Sequence, residues 1–210
     1  MTTTAAPPTP PLDPAVTVPI AGLSRASFEY LRDAAHGRKL MSLFGGPART
    51  DGSGFDDIAG LFNLDCKVLD LERDGSHDLC EQHVWDNVLT DIESACGVMM
   101  APPCGTFCLA LGKQGGPPPL RSPGRCIKGL PHLTPEQQHK VRIGNLCAER
   151  AAQAATKAQS LCIPWAIVNP EWQPGCTSIF ELECVRHLIN DPDVVFFYYL
   201  GSVPIWIRMP

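Results

Sequence analysis

The chain has 210 residues, of which 44% are hydrophobic and 19% charged, with a net charge of −5. That length supports one full-sized domain with its own core. The acidic balance excludes a general affinity for nucleic acid, and apolar runs such as "VVFFYYL" (Val194–Leu200) are far too short to span a membrane.

The first twenty residues, "MTTTAAPPTPPLDPAVTVPI", are rich in Pro, Thr and Ala and predict a disordered or extended arm, with none of the charge and hydropathy pattern of a signal peptide. Residues 21–210 then read as a single domain. "SRASFEYLRDAAHG" predicts a short helix that Gly37 can close. "KLMSLF" (39–44) predicts a strand opening into "GGPARTDGSG", and a helical stretch follows at 53–62. "CKVLDL" (66–71) predicts a second strand. "EQHVWDNVLTDIESA" (81–95) predicts a helix with Val84, Val88, Leu89 and Ile92 on one face. "GVMMA" (97–101) predicts a third strand, and it runs straight into Pro102, Pro103 and Cys104.

A Gly/Pro-rich segment over 109–131 is too long for a plain connection and is expected to be functional or mobile. "TPEQ" opens the next helix: Thr134 can cap, Pro135 suits the first turn, and Gln137 can reach back to the cap. That helix is expected to reach about Ser160. "IPWAIV" (163–168) predicts a strand, "CTSIFELECVRHLI" (176–189) one helix, and "DVVFFYYLGSVPIWIRM" two strands joined by a tight turn. Apolar strands alternating with helices predict an α/β fold. Its sheet should be mostly parallel with helices on both faces and an antiparallel strand pair at the C-terminal end. Ligands on such sheets bind beyond the carboxyl ends of the strands. Here those ends carry "FGGPA", "LDLE", "APPC" and "VNPE".

Two compositional features bear on chemistry. Ten cysteines could suggest a secreted disulfide scaffold, but those from Cys66 to Cys184 lie scattered within apolar elements of a long chain, and no pair has C-x-x-C spacing. A reducing, intracellular compartment and no metal site are expected. Between Lys113 and Arg142, six basic residues (Lys113, Arg121, Arg125, Lys128, Lys140, Arg142) face one acid, Glu136, a local charge of +5. This is either an ordinary solvated loop or a phosphate-facing patch beside Cys104.

The motif order resembles the catalytic domain of DNA cytosine-5 methyltransferases over about Lys39 to Arg208. Pro102-Pro103-Cys104 resembles the family's nucleophile motif, "LFGGPA" its first motif, "VLDLE" the acidic end of the second strand, "SHDL" the third motif, and "VNP" the Asn-Pro motif that holds the target base. The resemblance implies a Rossmann-like sheet, S-adenosyl-L-methionine as cofactor and DNA, single-stranded or duplex, as partner. It implies that Phe44, Gly45, Gly46, Asp70, Asp78 and Pro102 contact the cofactor. Phe44 would lie against the adenine, the two glycines would leave room for the methionine part, and Asp70 or its competitor Glu72 would meet the ribose. Asp78 is either the adenine-side acid or the cap of the 81–95 helix. Cys104 would attack cytosine C6 as a thiolate, with Pro103, Arg121, Arg125, Lys128, Asn169 and Pro170 on the substrate side. The long loop would close over a base swung out of its stack. Cys104 is then expected to be more exposed and more acidic than the other cysteines, and Cys108 to be structural.

The chain departs from that pattern at the family's second catalytic group. Val168 stands where a glutamate should be, with Glu171 three residues on; Ala48 replaces a glycine of the first motif, and only Arg208 lies near the later arginine motif. The family's target-recognition domain has no counterpart before Pro210, so a separate recognition partner is expected. A catalytically inactive module of methyltransferase fold, binding cofactor or nucleic acid, is the alternative that Val168 favours. A plain α/β domain with another ligand is the third.

Overall fold

A computed structural model describes residues 37–51, 54–61, 64–107, 116–169, 177–192, 194–199 and 203–208. The expected N-terminal arm, the helix before Gly37, Cys108, Lys113, Pro170 and Glu171 lie outside the described residues. The elements are β1 (Lys39–Leu43), α1 (Phe55–Leu61), β2 (Cys66–Leu69), α2 (Gln82–Ile92), β3 (Ala95–Met100), α3 (Pro135–Ser160), β4 (Trp165–Val168), α4 (Glu183–Ile189), β5 (Val194–Tyr199) and β6 (Val203–Arg208). The fold is α/β.

The six strands form one sheet in the order β2-β1-β3-β4-β6-β5. β2, β1, β3 and β4 run parallel to their neighbours, and β6 runs antiparallel to both β4 and β5. The last strand in sequence therefore sits inside the sheet, and β5 takes the edge. β1, β3 and β4 are nearly continuous apolar runs because a parallel sheet covered by helices buries both faces. Met41, Leu43, Val98, Met100, Trp165 and Ile167 are each at most 2% exposed.

α3 packs against both α2 and α4, and α2 and α3 both lie against β3. α1, in the connection from β1 to β2, packs against β2. Trp85, Val88 and Ile92 of α2 and Ala148, Ala151, Ala152 and Ala155 of α3 are all buried in the common core, and Trp85 Nε1 donates to Gln153 Oε1 of α3 at 2.8 Å. Thr134 and Gln137 close the expected capping box at the start of α3. No helix among the described residues is long and apolar enough to cross a membrane.

Two elements differ from the sequence-based expectation. β3 begins two residues early, at Ala95, because its pairing with β1 slips by one residue between Lys39 and Leu40. The single helix expected over 176–189 is interrupted. Ser178 and Glu181 form a capping box around a one-turn helix at Ile179–Glu181, and Leu182 then turns extended, with its side chain only 2% exposed, before α4 starts. Burial of Leu182 and the local cap together outweigh a continuous helix.

The chain leaves β1 toward β2 on one side and returns to β3 on the other. That reversal makes a topological switch point, and the crevice beyond the carboxyl ends of β1 and β3 is where such sheets take ligands.

Candidate functional site at the switch point

β1 delivers Phe44, Gly45 and Gly46 to this end of the sheet. Phe44 donates its N–H to Leu69 O at 2.9 Å, which holds the first loop residue against β2. Its φ of +59° is a left-handed conformation that a bulky side chain adopts only under constraint from its surroundings. The Phe44 ring belongs to the core and is 9% exposed. At Gly45 a Cβ would lie 2.6 Å from Val68 Cγ1 and 3.0 Å from Ser42 Oγ. The missing side chain of Gly45 makes room for β1 and β2. Gly46 has φ +73° and nothing within 4 Å of a built Cβ, so it is the glycine that opens on free space.

The Gly46 peptide is gripped from both sides. Its N–H donates to Asp70 Oδ2 at 2.9 Å, and its carbonyl accepts from Arg73 Nε at 2.9 Å. Asp70 Oδ1 also accepts from Glu72 N at 2.8 Å, so the carboxylate shapes its own turn and the glycine loop together. Two bonds leave acceptor capacity on both oxygens for a ligand hydroxyl. Arg73 continues to α1, pairing in a fork with Asp56 at 2.9 and 3.1 Å. That guanidinium, hydrogen-bonded to Asp56, holds the Asp56 carboxyl below its ordinary pKa. Glu72 and Leu71 are exposed, Leu71 to 55%. Asp78 accepts from Cys80 N at 2.9 Å in a local turn, while α2 is capped at Glu81 without a side-chain bond. Asp78 therefore does not cap α2, as one of its two expected roles required; it shapes the turn just before the helix.

β3 ends at Met100, and Ala101 N still donates to Leu43 O at 3.0 Å, so the Pro102-Pro103-Cys104 segment leaves directly from the centre of the sheet. Pro102 is buried, and its carbonyl accepts from Asn169 Nδ2 at 3.0 Å. Asn169, 3% exposed just beyond β4, thus pins the segment before the cysteine. Val168 is half-buried beside it. Pro103 is exposed and Cys104 half-buried, and Phe107 N donates to Cys104 O at 2.7 Å in a tight turn. Cys162 is the exposed thiol among the described cysteines, which corrects the expectation that Cys104 is the most exposed.

Arg121 departs furthest from expectation. It was expected to face phosphate, yet it is 3% exposed. Its Nη1 donates to Ile127 O and Asn145 Oδ1, both at 2.6 Å. Nη2 donates to Thr106 Oγ1 at 2.9 Å and Val141 O at 3.1 Å, and Nε to Thr106 Oγ1 at 3.2 Å. All five donors of the guanidinium are used. The guanidinium carbon also lies 3.6 Å from the centre of the Phe107 ring. Burial lowers the Arg121 pKa to about 10, which leaves it charged at neutral pH. Gly144 on α3 makes this possible, since a Cβ there would stand 2.7 Å from Thr106 Oγ1 and 3.1 Å from Arg121 Nη2. Arg121 therefore fastens the turn after Cys104 to α3 and to the 120–130 segment.

That segment is a folded wall over its described part. Leu130 N bonds Leu120 O at 2.9 Å, Ser122 and Cys126 pair as a short bridge, and Asn145 Nδ2 donates to Lys128 O at 3.0 Å. Over residues 116–131 the expected long loop is tied by these hydrogen bonds to itself and to α3. Arg125 and Lys128 do project into solvent.

The switch point thus brings together Gly46 with Asp70 and Pro102 with Asn169. It sets Cys104 at the end of β3 and removes Arg121 from the surface. Sequence reasoning missed Arg73, Asp56, Thr106 and Asn145, which are ordinary polar residues whose partners lie far along the chain. Gly144 was legible in principle, because a glycine inside a strong helix commonly marks a close approach. Among the described residues no group of three or more His, Cys, Asp or Glu side chains is placed to hold a metal. No family model matches the chain, and neither a curated protein nor a solved structure matches it.

Proposed function

We propose that the chain is a divergent S-adenosyl-L-methionine-dependent cytosine-5 methyltransferase-type domain on a Rossmann-like sheet, acting on DNA through Cys104. The observation that carries this reading is the meeting, at one switch point, of a glycine turn held by an acid at the end of β2 and a Pro-Pro-Cys segment leaving the end of β3. A mostly parallel sheet that finishes in a reversed strand supports the same reading.

The residues fit the cofactor at Gly46, which opens on free space, and at Asp70, which keeps acceptor capacity for ribose hydroxyls. The exposed Leu71 side chain offers an apolar surface next to that acid. The cofactor supplies an electrophilic methyl group. The chain supplies the rest. Cys104 as thiolate would add to C6 of an extruded cytosine, which makes C5 nucleophilic toward the cofactor's methyl group; loss of the C5 proton to a solvent water or hydroxide and elimination across C5–C6 would return the thiolate. The buried Asn169 and Arg121 hold the two ends of the Cys104 turn, and Arg125 and Lys128 are exposed for backbone phosphates.

Val168 favours a second reading, a binding module without turnover, since the loss of a positioned acid or base costs roughly 10²–10⁴ in rate. Covalent trapping separates the two. DNA carrying 5-fluorocytosine, incubated with S-adenosyl-L-methionine, should trap wild type at Cys104, and Cys104→Ser should abolish the adduct. Val168→Glu should increase trapping by restoring a hydrogen bond to the base edge. If wild type and Val168→Glu both bind the cofactor and neither traps, the binding module is the correct reading.

A further inference from the structure

Two thiols that the proposed reaction does not use face each other between α2 and α3. Cys80 lies in the turn that Asp78 shapes just before α2, and Cys147 lies on the buried side of α3. Their sulfurs are 3.9 Å apart across 67 residues of sequence. The pair is asymmetric: Cys147 is 4% exposed and Cys80 is half-buried. The hydrogen bond between the two sulfurs pulls the Cys80 thiol below its usual pKa against burial, and the same bond, together with burial, pushes Cys147 up. Arg150, on α3, favours the Cys80 thiolate, and Asp78 opposes it. Cys80 is therefore the reachable sulfur, and Cys147 is shielded and within contact of it. Those are the attributes of an attacking and a resolving cysteine.

We propose that Cys80 and Cys147 form a redox-modification site, closing to a reversible disulfide under a two-electron oxidant of the peroxide class. The Cys80 thiolate attacks one peroxide oxygen; the O–O bond breaks, leaving Cys80 as sulfenic acid and releasing water after proton uptake. The Cys147 sulfur then attacks the Cys80 sulfur. The S–O bond breaks, and the hydroxyl leaves as water with the Cys147 proton. Two thiols and one hydrogen peroxide become one disulfide and two waters. Dithiol reductants reverse it by exchange. The sulfurs must close from 3.9 Å to a bond of about 2.0 Å, a shift on the scale of side-chain rotation. The bond would tie the Asp78 turn and the start of α2 to the middle of α3. It does not depend on the reaction proposed above.

The test uses the reduced full-length chain, titrated with hydrogen peroxide, alkylated, digested without reductant and read by mass spectrometry. At the dose that half-oxidises the exposed Cys162, the expected result is a Cys80–Cys147 linked peptide pair, 2 Da lighter than the two thiols. Cys147→Ser should leave Cys80 as a dimedone-reactive sulfenic acid. Oxidation in urea should scramble the linkage, since only the fold selects this pair. Should Cys80 and Cys147 both remain alkylatable in wild type at that dose, or Cys80 link to other cysteines instead, the proposal is overturned. The wild-type measurement stands even if a variant fails to fold.

Discussion

Two arginines brace the two turns that leave the ends of β1 and β3, and they do so by opposite means. Arg73 braces the glycine turn: one bond goes to Gly46 O, and a fork goes to the Asp56 carboxylate, whose side chain is 39% exposed. Arg121 braces the cysteine turn from inside the protein and bonds hydroxyl, amide and backbone oxygens, with no carboxylate among its described partners. The Arg73 side chain is 14% exposed, but the Asp56 end of the pair faces water, so the pair gains less from its charge than a fully buried one would and loses part of that to salt. A buried guanidinium saturated by neutral acceptors contributes shape, because every oxygen it serves would otherwise be unpaired. The glycine turn is therefore the adjustable one and the cysteine turn the fixed one.

Removing each brace should expose that difference. Arg121→Met orphans the Thr106 hydroxyl, Ile127 O and the Asn145 amide, and should cost roughly 3–5 kcal/mol in urea unfolding. Arg121→Lys should recover only part of it, since an ammonium has three donors and no fork. Gly144→Ala places a methyl 2.7 Å from Thr106 Oγ1 and should cost about 1–3 kcal/mol by overpacking the same junction. At the other turn, Asp70→Ala frees the Gly46 and Glu72 N–H groups at a partly solvated site, and should cost about 1–2 kcal/mol.

Asp56→Asn should have the smallest effect, under about 1 kcal/mol and shrinking with added salt. Its pH dependence has a definite sign. Arg73 depresses the folded-state pKa of Asp56 below 3.8, so the stabilisation is present above that value and is lost as pH falls through the lower, folded one. Wild type and Asp56→Asn should therefore converge in stability under acid. If Arg73→Met proves as damaging as Arg121→Met, the contrast between the turns is wrong.

The sheet was legible because its strands are short apolar runs punctuated by Gly and Pro, and α3 because its capping box is local. The break at Leu182 was hidden, since the apolar spacing of 179–189 reads equally well as one helix and only the burial of Leu182 decides it. At the site, residue types at strand ends pointed to Gly46, Asp70, Cys104 and Asn169. Their partners depend on contacts 20 or more residues away, as with Asp70 and Gly46, 24 apart. The basic count over 113–142 misled in one instance for a physical reason. Charge says nothing about depth, and Arg121 is buried by Phe107 above it and by the space Gly144 leaves.

The central claim is that the end of the sheet bearing these turns takes S-adenosyl-L-methionine at Gly46, independently of the thiol. Calorimetric titration of the full chain tests it most directly. The account predicts binding by wild type and by Cys104→Ser with equal affinity, and loss of binding in Gly46→Val, whose side chain would fill the free space and strain a φ of +73°. No heat and no thermal shift from folded wild type at millimolar ligand would contradict it.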